Sequence, residues 1–238
     1  MRSLIIHMAA STARRGNVDR LLGDLPGAEV IAAVDGRDAA QIAAVARRDG
    51  TVFRPHYPFP LRPAEIGVFQ SHRRCWQRIL DEGWDRALIA EDDLSVDPAR
   101  LARALALIET HTTPETYVRL PVRRRETPAA TLARDGDMAL ILPRVIGLQC
   151  ACQVVGRGAA TRLLAATEIL DRPVDTVLQM HWLTGQPVHA LLGAGTAEIG
   201  GQIGGSTIQT RTPAAGKLAR EIRRASYRAQ IALRPQRP

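Results

Sequence analysis

The stretch Arg86-Ala-Leu-Ile-Ala-Glu-Asp-Asp93 decides the fold. Its first half is apolar and of strand length, and its second half is three consecutive carboxylates. Alanine, leucine and isoleucine pack inside a sheet, whereas Glu91, Asp92 and Asp93 cannot be buried unpaired, so the strand must deliver them to a sheet edge. In open α/β sheets the carboxyl end of a strand is where ligands bind. Clustered carboxylates there are hard oxygen ligands suited to Mg²⁺ or Mn²⁺. A second reading of the octamer alone is a solvated turn before the helix-opening Asp97-Pro98. The flanking sequence has to separate the two.

Upstream lies the longest helical pattern in the chain, opened by Pro63, running to about Leu80 and stopped by Gly83. At about 100° per residue, Ile66, Phe69, Trp76 and Leu80 share one face, opposite Gln70, Arg74, Gln77 and Arg78. Glu65 and His72 fall within the apolar face, where each needs a partner, and one solution is a mutually satisfied pair. Earlier still, residues 3–8 read as a buried strand and 9–15 as a polar loop. Residues 14–25 read as a helix with a Val18, Leu21, Leu22, Leu25 stripe. Residues 29–34 follow as a second strand closed by Asp35-Gly36, with Asp38 capping a short helix beyond it. A proline-rich loop spans 51–63. This βαβα order predicts a parallel sheet with a nucleotide-sized crevice at its carboxyl edge.

Downstream of the octamer, the pattern predicts a helix over 97–111 and a strand over 117–121. Residues 123–137 read as a mobile loop. Two apolar runs, 139–146 and 149–155, are separated by Gly147 and read as a hairpin. A helix over 158–170, broken by Arg172-Pro173, comes next. The segment 174–183 carries Asp175, His181 and Trp182, and it precedes a late strand over 187–192 and the glycine-rich stretch 193–205. After Thr212 a basic tail holds Lys217, the chain's only lysine, and six arginines against the single acid Glu221. Leu218, Ile222, Ala225 and Ala229 recur there at helical spacing, so the tail is either a helix lying on an anionic membrane surface or a solvated face docked on the domain. The chain therefore divides into a domain over 1–212 and a tail over 213–238.

Composition narrows the function classes. An apolar fraction of 45% and a charged fraction of 24% over 238 residues are ordinary for a globular chain. The net charge of +8 suits anionic substrates, but aromatic residues make up only 4% and the basic tail holds a single one, Tyr227, too few for a stacking platform, which argues against a nucleic-acid partner. Three cysteines, Cys75, Cys150 and Cys152, form no disulfide framework; the last two, at i and i+2, read as packing residues on one strand face. No apolar run spans a bilayer and residues 3–7 are too short for a signal-peptide core, so the expected location is cytoplasmic.

Several short stretches in order resemble glycosyltransferase family 25, the group of bacterial lipopolysaccharide galactosyltransferases related to the collagen galactosyltransferases. They are Ala13-Arg14-Arg15, Ala33-Val-Asp-Gly-Arg37, Glu65-Ile-Gly-Val-Phe-Gln-Ser-His72, Leu88-Ile-Ala-Glu-Asp-Asp93, Gly158-Ala159 and Pro173-Val-Asp175. The resemblance extends to about Ser206. It implies an α/β, GT-A-like fold built on one Rossmann-type, mostly parallel sheet. It also implies a UDP-sugar donor, typically UDP-galactose, a glycan or glycolipid acceptor, Mn²⁺ or Mg²⁺, and inversion at the anomeric carbon. By the same resemblance Asp93 is the metal ligand, and Glu91 or Asp92 bridges to the ribose or to metal-bound water. Arg15, Asp35 and Gly36 hold the nucleoside and its phosphates, Ser71 and His72 border the donor, and Asp175 is the catalytic base. Two departures stand out. Gly67-Val68 replaces the family's Gly-Cys, and Gln149-Cys-Ala-Cys-Gln-Val-Val155 replaces its glycine- and tyrosine-bearing strand. The second departure keeps an alternative open, a non-catalytic protein of this fold that binds nucleotide or glycan.

Overall fold

In a computed structural model, which describes residues 1–203 and 217–238, an eight-stranded sheet is covered by helices on both faces. The strands are β1 (Arg2–His7), β2 (Ala28–Ala32), β3 (Arg86–Glu91), β5 (Tyr117–Arg119), β6 (Pro128–Asp135), β7 (Met138–Pro143), β8 (Cys152–Gly156) and β9 (Val188–Leu192). Their spatial order is β2-β1-β3-β8-β5-β9-β7-β6. The pairings β1/β2, β1/β3 and β5/β9 are parallel, while β8 is antiparallel to both its neighbours and β7 to both of its own. Six of the eight strands therefore run one way and only β7 and β8 run the other. This is the α/β, Rossmann-type, mostly parallel architecture that the resemblance implied. Two further short strands, β4 (Leu94–Val96) and β10 (Thr196–Glu198), form a separate antiparallel ribbon.

The first six residues of the octamer form β3, with Asp92 and Asp93 in the turn beyond it, and its apolar half is used on both sides of the sheet. Ala87 and Ile89 pack with α3 (Pro63–Asp81), α5 (Arg157–Ala166) and α6 (Val174–Leu178). Leu88 and Ala90 face α1 (Arg15–Asp24) and α4 (Pro98–His111). Alternation of side chains across a strand buried on both faces accounts for an apolar run with no polar interruption. Helix α3 inserts Ile66, Phe69 and Trp76 into the first layer, where the Phe69 and Trp76 rings meet edge to face at 6.2 Å. Burying Phe69 fully is worth about 1.5–3 kcal/mol. Helix α4 is capped by Asp97, which accepts from the backbone N–H groups of Ala99 and Arg100. The short α2 (Ala39–Ile42) is capped by Asp38, as its sequence predicts.

Several expectations fail for identifiable reasons. Residues 123–137 are not one loop, because Pro128–Asp135 is the edge strand β6, with two register irregularities and a mostly exposed outer face. Charge and half-exposure hide an edge strand from a periodicity reading. The runs 139–146 and 149–155 form no hairpin. Strand β7 lies between β9 and β6, whereas β8 inserts between β3 and β5. Cys150 precedes β8, so it does not share a face with Cys152; the two are buried in different layers. Glu65 and His72 do not pair with each other. The Glu65 carboxylate accepts from the Arg62 backbone N–H at 2.8 Å, closing its own helix terminus, and His72 looks to β3 and β8.

The expected boundary at 212/213 lies outside the described residues, as does the end of the glycine-rich stretch. Beyond it, α8 (Lys217–Ala232) docks through Tyr227 and Ile231 onto Met180, which precedes the short α7 (His181–Thr184), with Phe53, Tyr57 and Trp182 alongside. The stripe Leu218, Ile222, Ala225, Ala229 faces outward instead, with Leu218 76% and Ile222 61% exposed. Near the chain end, the Gln236 side chain donates to the Pro143 and Val188 carbonyls and accepts from the Val188 N–H.

Candidate functional site

The carboxyl ends of β1, β2 and β3 open on one crevice of about 300 Å³, lined by Met8, Arg14, Asp35, Gly36, Arg37, Ser71, His72, Glu91, Asp92 and Asp93 among others. Its floor is a charged network. The buried Asp92 takes His7 Nδ1 on Oδ2 at 2.8 Å and Arg14 on Oδ1 at 2.5 Å, and Asn17 donates to its backbone carbonyl at 2.9 Å. Both carboxylate oxygens of Asp92 thus serve the framework. Arg14 also reaches Asp93 at 3.2 Å. Burial alone would lower the Arg14 pKa, but the bond to Asp92 and the charges of Asp92, Asp93 and Glu91 raise it overall.

Asp93 stands differently. Burial pushes its carboxyl up, Glu91, Asp92 and Glu198 add to the rise, and Arg14 only partly offsets them, leaving a value of about 6. Glu198 reaches the crevice because β10 pairs antiparallel with β4, placing Glu198 opposite Leu94. Glu91 ends β3 with its side chain 30% exposed and accepts from His72 Nε2 at 3.2 Å. The Gln153 amide of β8 donates to His72 Nδ1 at 3.0 Å, which leaves Nε2 to carry the proton toward Glu91. A relay Gln153–His72–Glu91 therefore fixes the direction of the Glu91 carboxylate.

The side of the crevice between the end of β2 and the start of α3 is built by close backbone approach. A Cβ on Gly36 would sit 1.9 Å from the Pro63 carbonyl oxygen, and one on Gly67 2.6 Å from that of Val34. Only glycine lets the start of α3 press against the end of β2. Ser71 closes the same junction, donating to Gly67 O at 2.8 Å and accepting from Val34 N at 2.9 Å. It shapes the wall rather than offering a free hydroxyl. Asp35 lines the crevice and is held by Arg37 at 2.8 Å, whose bonds keep its carboxyl below the usual range.

A second cavity, also about 300 Å³, adjoins the first and shares Val68, Glu91, Asp93 and Glu198 with it. Asp175 lies here, in the first turn of α6, where Pro173 and not Asp175 occupies the cap position. Its carboxylate accepts from Gln149 N and from the Thr176 hydroxyl, at 3.3 and 3.2 Å. Glu65 lines the same space, its carboxyl raised by burial.

The expected site residues thus meet around two connected cavities, with one exception. Arg15 is 70% exposed, pairs with Asp19 at 3.4 Å, and lines neither cavity. Arg14 takes the place in the wall. The signal was present in the sequence: Arg14 stands four residues before Val18, in phase with the buried Val18, Leu21 and Leu25, and Arg15 does not. His7, Gln153 and Glu198 were also missed. His7 follows Ile5 at strand spacing, but Glu198 arrives through a long-range ribbon that no local pattern announces.

The family model for glycosyltransferase family 25 (LPS biosynthesis protein) matches residues 1–134, more than half of the 238-residue chain. The chain belongs to glycosyltransferase family 25. A 69-residue stretch is 36% identical to procollagen galactosyltransferase 1 of Danio rerio, covering 28% of this chain and 11% of that protein. The chain thus spans about a tenth of this curated relative. A solved mannose-1-phosphate geranyltransferase structure from Thermus thermophilus covers 81% of this chain and 73% of its own, at 12% identity and a TM-score of 0.38. The fold assignment for this family 25 chain rests on strand order and direction, not on that likeness. Among its described residues, no group of three or more His, Cys, Asp or Glu side chains is placed to hold a metal ion by itself. No described helix is long and apolar enough to cross a membrane. Among the described residues, a site for a divalent ion would draw on Asp93 with Glu91 beside it. Their crowding fits a cation that keeps waters and phosphate oxygens in its remaining positions, as Mg²⁺ does with one or two carboxylates.

Proposed function

We propose that this family 25 glycosyltransferase moves a hexose, galactose in the first instance, from a UDP-sugar to a surface glycan such as a lipopolysaccharide, with inversion. One observation carries the reading: Asp93, Glu91 and Asp175 share one cavity that continues into the crevice at the carboxyl ends of β1–β3. The galactosyltransferase name of the Danio rerio relative supports the choice of sugar.

In this reading the UDP moiety occupies the crevice against Asp35 and Gly36, with its diphosphate toward Asp93. A bound Mn²⁺ or Mg²⁺, held by Asp93 with Glu91 beside it, would supply charge stabilisation for the departing diphosphate. Asp175 takes the proton of the acceptor hydroxyl as that oxygen bonds to the anomeric carbon. The bond from that carbon to UDP breaks on the opposite side, and UDP leaves. The Gln153–His72–Glu91 relay fixes the Glu91 carboxylate, which would stand beside such a cation. Strand β8, the segment of altered composition, supplies Gln153 to that relay, which weighs against the non-catalytic alternative. The outward stripe of α8 suits peripheral contact with an anionic membrane. Co-sedimentation with phosphatidylglycerol vesicles that Leu218→Ser and Ile222→Ser leave unchanged would sink that part.

The test is a donor screen with UDP-galactose, UDP-glucose and their N-acetyl forms, with and without Mn²⁺, following UDP release. UDP-galactose should give the highest rate, and a chelator should abolish it. Turnover that survives both chelation and Asp93→Asn would overturn the metal assignment.

A further inference from the structure

A third cavity, of about 700 Å³, lies between the segment 144–148 that follows β7, the loop at Tyr57 and Phe59, and the inner side of α8. Tyr57, Leu148 and Thr176 line both this cavity and the one holding Asp175, so the two cavities adjoin. The charge changes sign along it. The middle cavity presents Glu65, Glu91, Asp93, Asp175 and Glu198 and no basic side chain. The outer one presents Arg125, Arg144, Arg224 and Arg228 and a single acid, Glu126. That acid is already spent: its side chain is 8% exposed, it pairs with Arg119, and it accepts from Gly147 N at 2.7 Å. Arg224 has Glu221 at 2.5 Å, whereas Arg125, Arg144 and Arg228 have no carboxylate partner among the described residues. Exposed arginines converging on a concave wall with apolar Val145, Ile146 and Ile231 between them recognise oxyanions and tolerate an apolar neighbour.

We propose that this outer cavity is the acceptor subsite, and that the acceptor is anionic, carrying a phosphate or carboxylate group. This rests on the transferase reading and deepens it. An anion is repelled from the five acids of the middle cavity and drawn to the three guanidinium groups that lack a carboxylate partner among the described residues. The charged group is thereby kept apart from the hydroxyl that reacts at Asp175. The acceptor's charge fixes which end enters first.

The experiment has two arms. In the binding arm, glucose 6-phosphate, glucuronic acid and glucose are titrated into the metal-free protein and followed by heteronuclear NMR. The two anions should perturb the Arg144 and Arg228 side-chain signals and glucose should not. The double substitution Arg144→Gln, Arg228→Gln should weaken anion binding at least tenfold, and Arg123→Gln, outside the cavity, should not. The two anions also distinguish phosphate from carboxylate as the recognised group. In the turnover arm, kcat/KM is compared for matched acceptors with and without the charged group, and the double substitution should collapse that ratio toward one. Equal binding of glucose and its charged analogues, or a neutral acceptor used as well as its charged match, overturns the inference while leaving the transferase reading intact. Selective anion binding with no turnover from any UDP-sugar would instead keep the anion site and remove the transferase reading.

Discussion

Two buried aspartates in this molecule each meet an arginine, and their surroundings differ in one respect. Under the tail helix, Asp171 and Arg172 are both fully buried and joined by two bonds of 2.7 and 2.9 Å. The remaining Arg172 donors go to the Phe53 and Pro55 carbonyls and the Tyr227 hydroxyl. Charge is balanced and donors are satisfied. At the crevice, Asp92 is equally well held by His7 and Arg14, yet Glu91, Asp93 and Glu198 stand around it with one guanidinium shared between Asp92 and Asp93. The first arrangement is what stability asks of a buried pair. The second is out of balance, and an unbalanced cluster of acids lowers stability unless a cation joins it. Excess charge in the crevice is what the proposed cation would offset, and neutrality under the tail needs no such partner.

The sharpest way to break this contrast is Asp93→Asn. Loss of the group proposed to meet a cation should lower UDP release by about 10³-fold, about 4 kcal/mol. The metal-free variant should nonetheless melt no lower than the parent, since a disfavoured charge has gone; thermal unfolding in EDTA reads this. Under the tail the opposite holds. Arg172→Ala strands Asp171 without its partner and should cost about 3–5 kcal/mol in denaturant unfolding, with no direct effect on Asp93. An Arg172 variant as stable as the parent would refute the structural role.

The pH dependence is the next largest effect. Asp93 in the folded protein stands at about 6 against an ordinary 3.8. The folded state therefore binds the proton more tightly, and this contribution to stability is full below about pH 4 and lost as pH rises to about 6. The metal-free parent should lose up to about 3 kcal/mol relative to Asp93→Asn across that window. A constant difference between the two proteins from pH 4 to 7 would remove the crowding argument. Smallest is the neighbouring pair at the start of α1. Arg15→Ala should shift stability by under about 0.5 kcal/mol, as an exposed ion pair does. Arg14→Ala should cost several times that. Equal effects would mean that helical phase does not set which arginine faces the acids.

These particulars show which parts of the chain spoke for themselves. The β3 octamer was legible because three carboxylates after a buried run have few physical destinations. The inner arginine was legible too, by its phase with Val18 and Leu21, although the neighbouring Arg15 was the expected one. Strand β6 was not, because an edge strand with charges on it looks like a loop. The inserted position of β8 was invisible, since pairing between residues about 65 apart, such as Leu88 with Val154, leaves no local mark. Glu198 was hidden for the same reason. Local chemistry writes itself into a sequence, and long-range pairing does not.

The contacts at Gly36 and Gly67 bear on how such a crevice can change over evolutionary time. Backbone meets backbone there, so no single side-chain substitution at either position can widen the pocket by small steps. Any residue larger than glycine displaces α3 as a unit, and with it Ser71 and the His72 that orients Glu91. New ligand preferences must therefore arise at the rim, through residues such as Met8, Asp35 and Arg37, while the interior wall stays as it is. The crevice is conservative in its depth and adjustable only at its mouth.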